Sequence, residues 1–566
     1  MLDIKLGTHQ NISLSGWQIA GTTAALVVAS LFYLTWLRPR FFPKIRGVPG
    51  PPLEGWLLGH FREMLRQEPE RALLQWNEQY GKEKGAFRVV SAVGLERLVV
   101  TRYSILKQIL VKRPYEFPKP AVARKILQSV VGEGLLTFED KAHRDLRMYM
   151  NKAFSPKHLQ AQYEMYHGPV QNFLKIIKAQ VEKDGGKTTM DMYAWSSRCL
   201  LDIIGLAAFG ITIDSLHNDA SPLGVAYHDL VSQQTTENLA TMMFIMNIPL
   251  NLGSGAIGFL SSKSWGYSVV SGFVKGLTKI GLGKIFGEFE ELAIFVRSMF
   301  TISKIAEQLR EEKTAEALKL GPEGVDHGKV DVLSLLISAS LFDEEVGSSY
   351  KMDGEMVKNS MLTILGAGHE TTASGVTWTT YLLAKHPEVQ DKLRKECQDL
   401  LRVYENPPFD KLKELKYLNA VVKESLRVEP PVPATIRQAK QDSVVDDILI
   451  KKGTMIFIPN LVVNQDIHGP WGADAKEFRP ERWFELPEGY DPSMSLLTFI
   501  AGAHQCIAKT MAQTEMALLT CMLVANFKFE LAEGQTVRRE ASITMRPVGG
   551  MPLLISKAPS PPIAAV

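Results

Sequence analysis

The segment Phe499-Ile500-Ala501-Gly502-Ala503-His504-Gln505-Cys506-Ile507-Ala508 sets one thiol just ahead of a run with helical periodicity. A thiolate in that place is stabilised by the helix N-terminus and by its free backbone N–H groups. That suits a strong anionic metal ligand. Gly502 allows a turn that a β-carbon would obstruct, and Phe499 can shield the sulfur from water and oxidants. The other cysteines are Cys199, Cys397 and Cys521; no CxxC pair or zinc-like spacing exists, so neither a disulfide framework nor a zinc site is expected.

Three further groups could do chemistry or hold it in place. Glu424 and Arg427 stand one helical turn apart, and Phe478-Arg479-Pro480-Glu481-Arg482-Trp483 supplies a further basic residue, Arg482. Ala367-Gly368-His369-Glu370-Thr371-Thr372 lies inside a long helical pattern, although glycine and adjacent threonines are poor helix formers. A distortion there would make room for dioxygen and water. His143 and Arg147 share a helix face ahead of Ala153-Phe154-Ser155, and Arg437 follows ten residues after Arg427. Arginine is the side chain best matched to carboxylates.

In order and rough spacing these motifs resemble the cytochrome P450 family. The cysteine segment is similar to the family's Phe-x-x-Gly-x-Arg-x-Cys-x-Gly signature and departs from it twice. His504 stands in place of the usual Arg, as in some members such as sterol demethylases, and Ala508 in place of the usual Gly. The resemblance covers nearly all of the chain beyond its N-terminal apolar run. It implies haem b with Cys506 as the axial thiolate to iron, and His143, Arg147, Arg437 and His504 at the haem propionates, with Phe499 beside the sulfur. It makes Glu370 and Thr371 the catalytic pair, Thr371 hydrogen-bonding at dioxygen and Glu370 feeding protons from bulk water. It gives Glu424, Arg427 and Arg482 a structural role, locking the cysteine loop beneath the haem.

The reaction implied by the resemblance is insertion of one oxygen atom into a lipophilic small molecule: a terpenoid, sterol, fatty acid or aromatic compound. Two electrons would come from NADPH through a membrane-bound NADPH–cytochrome P450 reductase, with cytochrome b5 as a second donor. No flavin or nicotinamide motif sits in this chain, so electrons must arrive from a partner. Arg144, Lys152 and Lys509 are candidates for docking it on the cysteine side. Two alternatives keep the haem: an isomerase or dehydratase acting on a peroxide, and a non-enzymatic carrier or sensor. The intact Glu370–Thr371 pair argues against both.

The elements that must position these residues are mostly helical. Helical patterns occupy 141–154, 158–182, 192–209, 289–321, 354–385, 388–403, 417–428 and 507–524. Short strands are expected at Phe87–Val90 and Arg97–Thr101, as a hairpin, and at Ile448–Ile450 and Met455–Ile458. The fold class is mainly α with minor β, the cytochrome P450 fold preceded by a single transmembrane helix. Substrate specificity is expected around 114–136, 210–290 and the helix before Gly368. The stretch 251–287 resists assignment, and Pro559–Val566 reads as a loose tail.

No charged residue occurs from Gln10 to Leu37, and Arg38, Arg40, Lys44 and Arg46 follow at once. That reads as a span of the ~30 Å hydrocarbon core with its C-terminal side cytosolic. A cleaved signal peptide would carry its basic residues before the apolar run. The expected organisation is a short lumenal tail over 1–16 and a transmembrane anchor over 17–38. A basic, Pro-rich hinge over 39–52 and one haem catalytic domain over 53–566 follow. The expected location is the endoplasmic reticulum membrane. The 64 Lys and Arg nearly balance the 61 Asp and Glu, which gives no reason to expect a nucleic-acid partner.

Overall fold

The structure, a computed structural model, describes the chain except residues 1, 7–9, 15, 54, 56–57, 233–259, 261–262, 266–267, 270, 273–287, 327–330, 343–351, 542 and 560–566. The unassigned 251–287 stretch and the final tail therefore lie largely outside the described residues.

The central element is the 32-residue helix Gly354–Lys385, started by Asp353, whose side chain accepts from the Met356 N–H. From Thr371 to Ala384 it is apolar or hydroxylic on every side and almost wholly buried, as a helix without a polar face must be. Thr371, Thr372, Thr377 and Thr379 each donate to the carbonyl four residues back, so their hydroxyls are satisfied without solvent. Around it pack Ala121–Val131, Met192–Phe209, Glu288–Asp326, Lys416–Val428 and Lys509–Asn526.

Most helical expectations hold to within three residues. The 158–182 pattern is instead two helices, Pro156–Tyr163 and His167–Lys183, joined by the tight turn Glu164–Tyr166. Pro169 lacks the N–H that a continuous helix would direct to Met165, so the second helix begins afresh with proline in its first turn. Gly321, at φ 68°, breaks the long helix before Pro322.

Ala86–Val90 and Glu96–Val100 form the expected antiparallel hairpin. The second strand runs parallel to Met455–Ile458, which pairs in turn with Thr435–Gln438. Ile448–Ile450, only a turn away in sequence, pairs with Ser443–Val445 in a different sheet. A third sheet orders Phe527–Glu530, Pro552–Lys557 and Lys187–Asp191, tying the C-terminal region to the helices.

At the N-terminus, Leu2–Leu6 pairs with Gln10–Leu14. The apolar helix runs from Gly16, passes a wider turn over Tyr33–Leu37, and ends at Phe41. Trp17–Phe41 is long and apolar enough to cross a membrane. The following segment is hydrogen-bonded to the body at several points.

One buried ion cluster connects the distant parts of this body. Arg427 grips Glu424 with two parallel bonds of 2.8 Å, Arg482 donates to the same carboxylate at 2.7 Å, and Trp483 and the Arg479 N–H complete it. Glu424 and Arg427 are fully buried. Arg427 spends its remaining donors on the carbonyls of Asn464, Ala475 and Glu477, so no charge is left without a partner. Removing the carboxylate strands two buried guanidiniums, which costs about 3–5 kcal/mol. Glu424→Ala is therefore expected to lower unfolding stability by that order. Arg402→Ala, which breaks the exposed Arg402–Asp399 pair, should change it by at most about 1 kcal/mol. Denaturant unfolding of the two variants tests this.

Candidate functional site

The cysteine loop begins where Lys416–Val428 and the short helix Asn460–Asn464 meet. Asn464 accepts from the Leu497 N–H at 2.9 Å and donates to Thr498, whose hydroxyl reaches the Leu426 carbonyl. The chain then turns sharply. Ile500 takes φ +56° and Gly502 φ +72°; for a β-branched residue that conformation is strained by about 1–3 kcal/mol. A β-carbon at Gly502 would collide with the Leu110 carbonyl, so the loop lies flush against the helical turn Gln108–Lys112. The Cys506 N–H closes the loop on the Phe499 carbonyl at 2.9 Å.

Cys506 is the one accessible cysteine, whereas Cys199, Cys397 and Cys521 are buried. Protein nevertheless crowds the sulfur, and burial pushes its thiol up. The Ala508 N–H, Arg147 and Lys509 pull it back toward the thiolate. Phe499 is buried beside it under the Lys509 ammonium, 5.8 Å from the ring centre. Arg147 donates to the Gln505 carbonyl and to Asn151, which places it against the loop.

Beside this loop lies a polar cluster only partly visible in the sequence. His504 bonds Glu139 at 3.1 Å and stacks on His143, ring centres 4.2 Å apart. His143 is bonded to the Tyr115 hydroxyl at 3.0 Å. Glu139 also accepts from the Lys119 N–H at 2.9 Å and faces its ammonium at 3.8 Å. Burial raises the Glu139 carboxyl, but His504 and Lys119 outweigh it and hold the group at about 2. Burial, with His504 alongside, pushes His143 down to about 3. His504 is also lowered, chiefly by burial, an effect its bond to Glu139 opposes. Burial and the nearby Arg437 bring Lys119 down to about 8, and burial brings Arg437 to about 10.

Arg437 is anchored by bonds to Thr435 and the Ile436 carbonyl, while the Nε of Arg124 is buried without a hydrogen-bond partner. Lys119 and Arg437 thus both act on Glu139, Arg124 lies near Lys119, and Arg147 stands on the other side against the cysteine loop. Cations in excess of anions at low dielectric call for further negative charge. Lys119, Arg124, Tyr115 and Glu139 escaped the sequence reading, because the turn at Pro118-Lys119-Pro120 has no periodicity to report which way its side chains face.

The Glu370 and Thr371 side chains diverge. Thr371 donates to Ala367 at 2.7 Å, which leaves its oxygen lone pairs to accept. Glu370 is buried, not open to bulk water: Thr544 donates to it at 2.5 Å, Tyr193 at 3.4 Å, and Arg546 pairs with it at 3.5 Å. A second buried carboxyl, Glu515 on the helix that follows Cys506, meets Thr372 and is raised by burial to about 8. One of its oxygens has no partner. Because the Thr372 hydrogen is directed to Gly368 at 3.0 Å, a protonated Glu515 can donate to the Thr372 oxygen.

The native state thus keeps this proton up to pH about 8, whereas an unfolded glutamate releases it near 4.5. The contribution to stability is full below pH 4.5 and is lost as pH rises through 8, at about 1.4 kcal/mol per unit. Glu515→Gln should flatten this decline, raising unfolding stability more at pH 7.5 than at pH 5; parallel pH profiles for the two proteins would refute the assignment.

Comparison with known proteins agrees with this geometry. The family model described as Cytochrome P450 matches residues 49–254 and 274–553. Cytochrome P450 monooxygenase 205 of Postia placenta is 31% identical over 526 residues, covering 89% of this chain and 90% of its own. Cytochrome P450 monooxygenase sphH of Aspergillus fumigatus is 30% identical over 520 residues, covering 89% and 87%. The chain belongs to the cytochrome P450 family of haem-thiolate monooxygenases.

Proposed function

We propose that Cys506 is the axial ligand of haem b and that the cation cluster beside it receives the two propionates. The observation that carries this is the pairing of one accessible thiol just ahead of a helix with Arg147 against its loop and with Lys119, Arg437 and Arg124 in the neighbouring cluster that includes Glu139. The donor set fits the group: a soft anionic sulfur for iron, and guanidiniums for carboxylates. Haem held by a thiolate supplies dioxygen activation, since the ligand favours O–O cleavage. His143 and His504 line the same cluster and complete the propionate side as neutral hydrogen-bonding rings. Glu424, Arg427 and Arg482 hold the loop through Asn464.

In this reading the protein inserts one oxygen atom into a lipophilic small molecule of the terpenoid, sterol, fatty acid or aromatic class. Thr371, its own hydrogen spent on Ala367, accepts a hydrogen bond at the oxygen site. Glu370 is the residue that relays protons from bulk water to this site. Electrons come from NADPH through a reductase, with cytochrome b5 as a second donor. Arg144 and Lys152 are exposed for docking, whereas Lys509 is turned partly inward over Phe499. Trp17–Phe41 serves as a single-pass anchor in the endoplasmic reticulum membrane, with the catalytic body in the cytosol.

Two substitutions test the assignment. Cys506→Ser should abolish the red-shifted Soret band of the reduced carbon monoxide complex, and survival of that band would exclude Cys506 as ligand. Thr371→Ala should lower product formed per NADPH several-fold and raise peroxide release, with haem content unchanged. Unaltered coupling would remove Thr371 from the oxygen site.

A further inference from the structure

The basic, Pro-rich run after the apolar helix is bound to the body at each step. Arg40 donates to the Leu53 carbonyl at 2.6 Å and lies over the Trp36 ring. Arg88, on the first strand of the hairpin, donates to the Pro39 carbonyl at 3.1 Å, and its N–H donates to the Pro49 carbonyl at 2.7 Å. The Lys44 and Ile45 N–H groups both donate to the Glu96 carboxylate, at 3.0 and 3.2 Å. Glycine is required at two contacts: a β-carbon at Gly50 would collide with the Arg88 carbonyl, and one at Gly94 with the carbonyl of Leu34.

The second contact matters most, because Leu34 belongs to the apolar run itself. It lies four residues before Arg38, the first charge after that run. At helical rise this puts it about 6 Å to the lipid side of Arg38. The hairpin tip touching it must sit at the same depth. The tip reads Ala92-Val93-Gly94-Leu95, without charge, and Leu95 is 62% exposed. The next residue, Glu96, could not lie near lipid with a free charge. Here the two N–H groups and Arg88, at 3.7 Å, engage its carboxylate. On the anchor side Phe41 and Phe42 are exposed, as aromatic residues at a membrane interface are.

We propose that the apolar N-terminal helix and the catalytic body form one unit clamped at Gly94, so that the hairpin tip with Leu95 is held in the interfacial layer of the lipid bilayer. The Pro-rich run is then a strap that sets the tilt of the body, not a swivel. Nothing else in the chain need bind lipid for this to hold. The proposal rests on Trp17–Phe41 being a membrane anchor.

The test uses the full-length, haem-loaded protein in nanodiscs. Leu95→Cys carries an environment-sensitive fluorophore, and lipids bearing a nitroxide near the headgroup act as quenchers. Val403→Cys, 71% exposed in the parent chain, serves as the reference site. Several-fold stronger quenching at 95 than at 403 is expected. Gly94→Asn should abolish the difference while leaving the carbon monoxide spectrum intact. Asparagine tolerates the left-handed conformation of Gly94, φ +69°, but its β-carbon meets Leu34. Arg88→Gln, which removes the donor to Pro39, offers the same comparison if the asparagine variant does not accumulate. Equal quenching at the two sites in disc-bound protein overturns the clamp. So does quenching that neither substitution alters. Failure of the full chain to enter discs at all would instead overturn the anchor, and the clamp with it.

Discussion

Glu424 accepts from two arginines, a tryptophan and a backbone N–H while fully removed from water. Charge at that depth is tolerable only when every donor and acceptor is matched, so the cluster permits little variation in its surroundings. Arg427 can be satisfied only if Asn464, Ala475 and Glu477 present their carbonyls. Asn464 then dictates where Leu497 and Thr498 run. The strained turn at Ile500 and the closure of Cys506 on Phe499 follow from that placement. The sulfur is therefore positioned by an ion cluster more than twenty residues before it in the chain as well as by its own loop.

The polar side of the site has the opposite character. Around Glu139 the charges are less closely matched: Lys119 and Arg437 both act on it, Arg124 lies near Lys119, and burial lowers both histidines. A cluster built for stability alone would pair them, as the Glu424 cluster does. The imbalance fits a site that receives an acidic group from outside the chain. His504, in place of the family's usual arginine, bonds Glu139 and removes one fixed charge here.

Beside the central helix, two buried carboxyl groups meet different partners. Glu370 is supplied with hydroxyl donors and the Arg546 guanidinium. Glu515, facing Thr372 with no cation on it, stays protonated through neutral pH. Threonine hydroxyls between them are committed to helix carbonyls, so this part of the core can hold polar groups without admitting bulk water.

The amino-acid sequence by itself determined what depends on neighbours three or four residues apart or on short motifs. The long helices, the hairpin, the Glu424–Arg427 pair, the His143–Arg147 face and a thiol set before a helix are of this kind, because periodicity and turn residues report local geometry directly. Tertiary structure alone decided which distant groups share a space. Glu139 meets His504 across 365 residues and Tyr193 meets Glu370 across 177; neither contact leaves a periodic trace. The basic, Pro-rich segment over 39–52 is a further case. Proline and basic residues specify an extended, charged segment, but its hydrogen bonds to Glu96 and Arg88 come from a hairpin some fifty residues away and leave no trace in its own pattern.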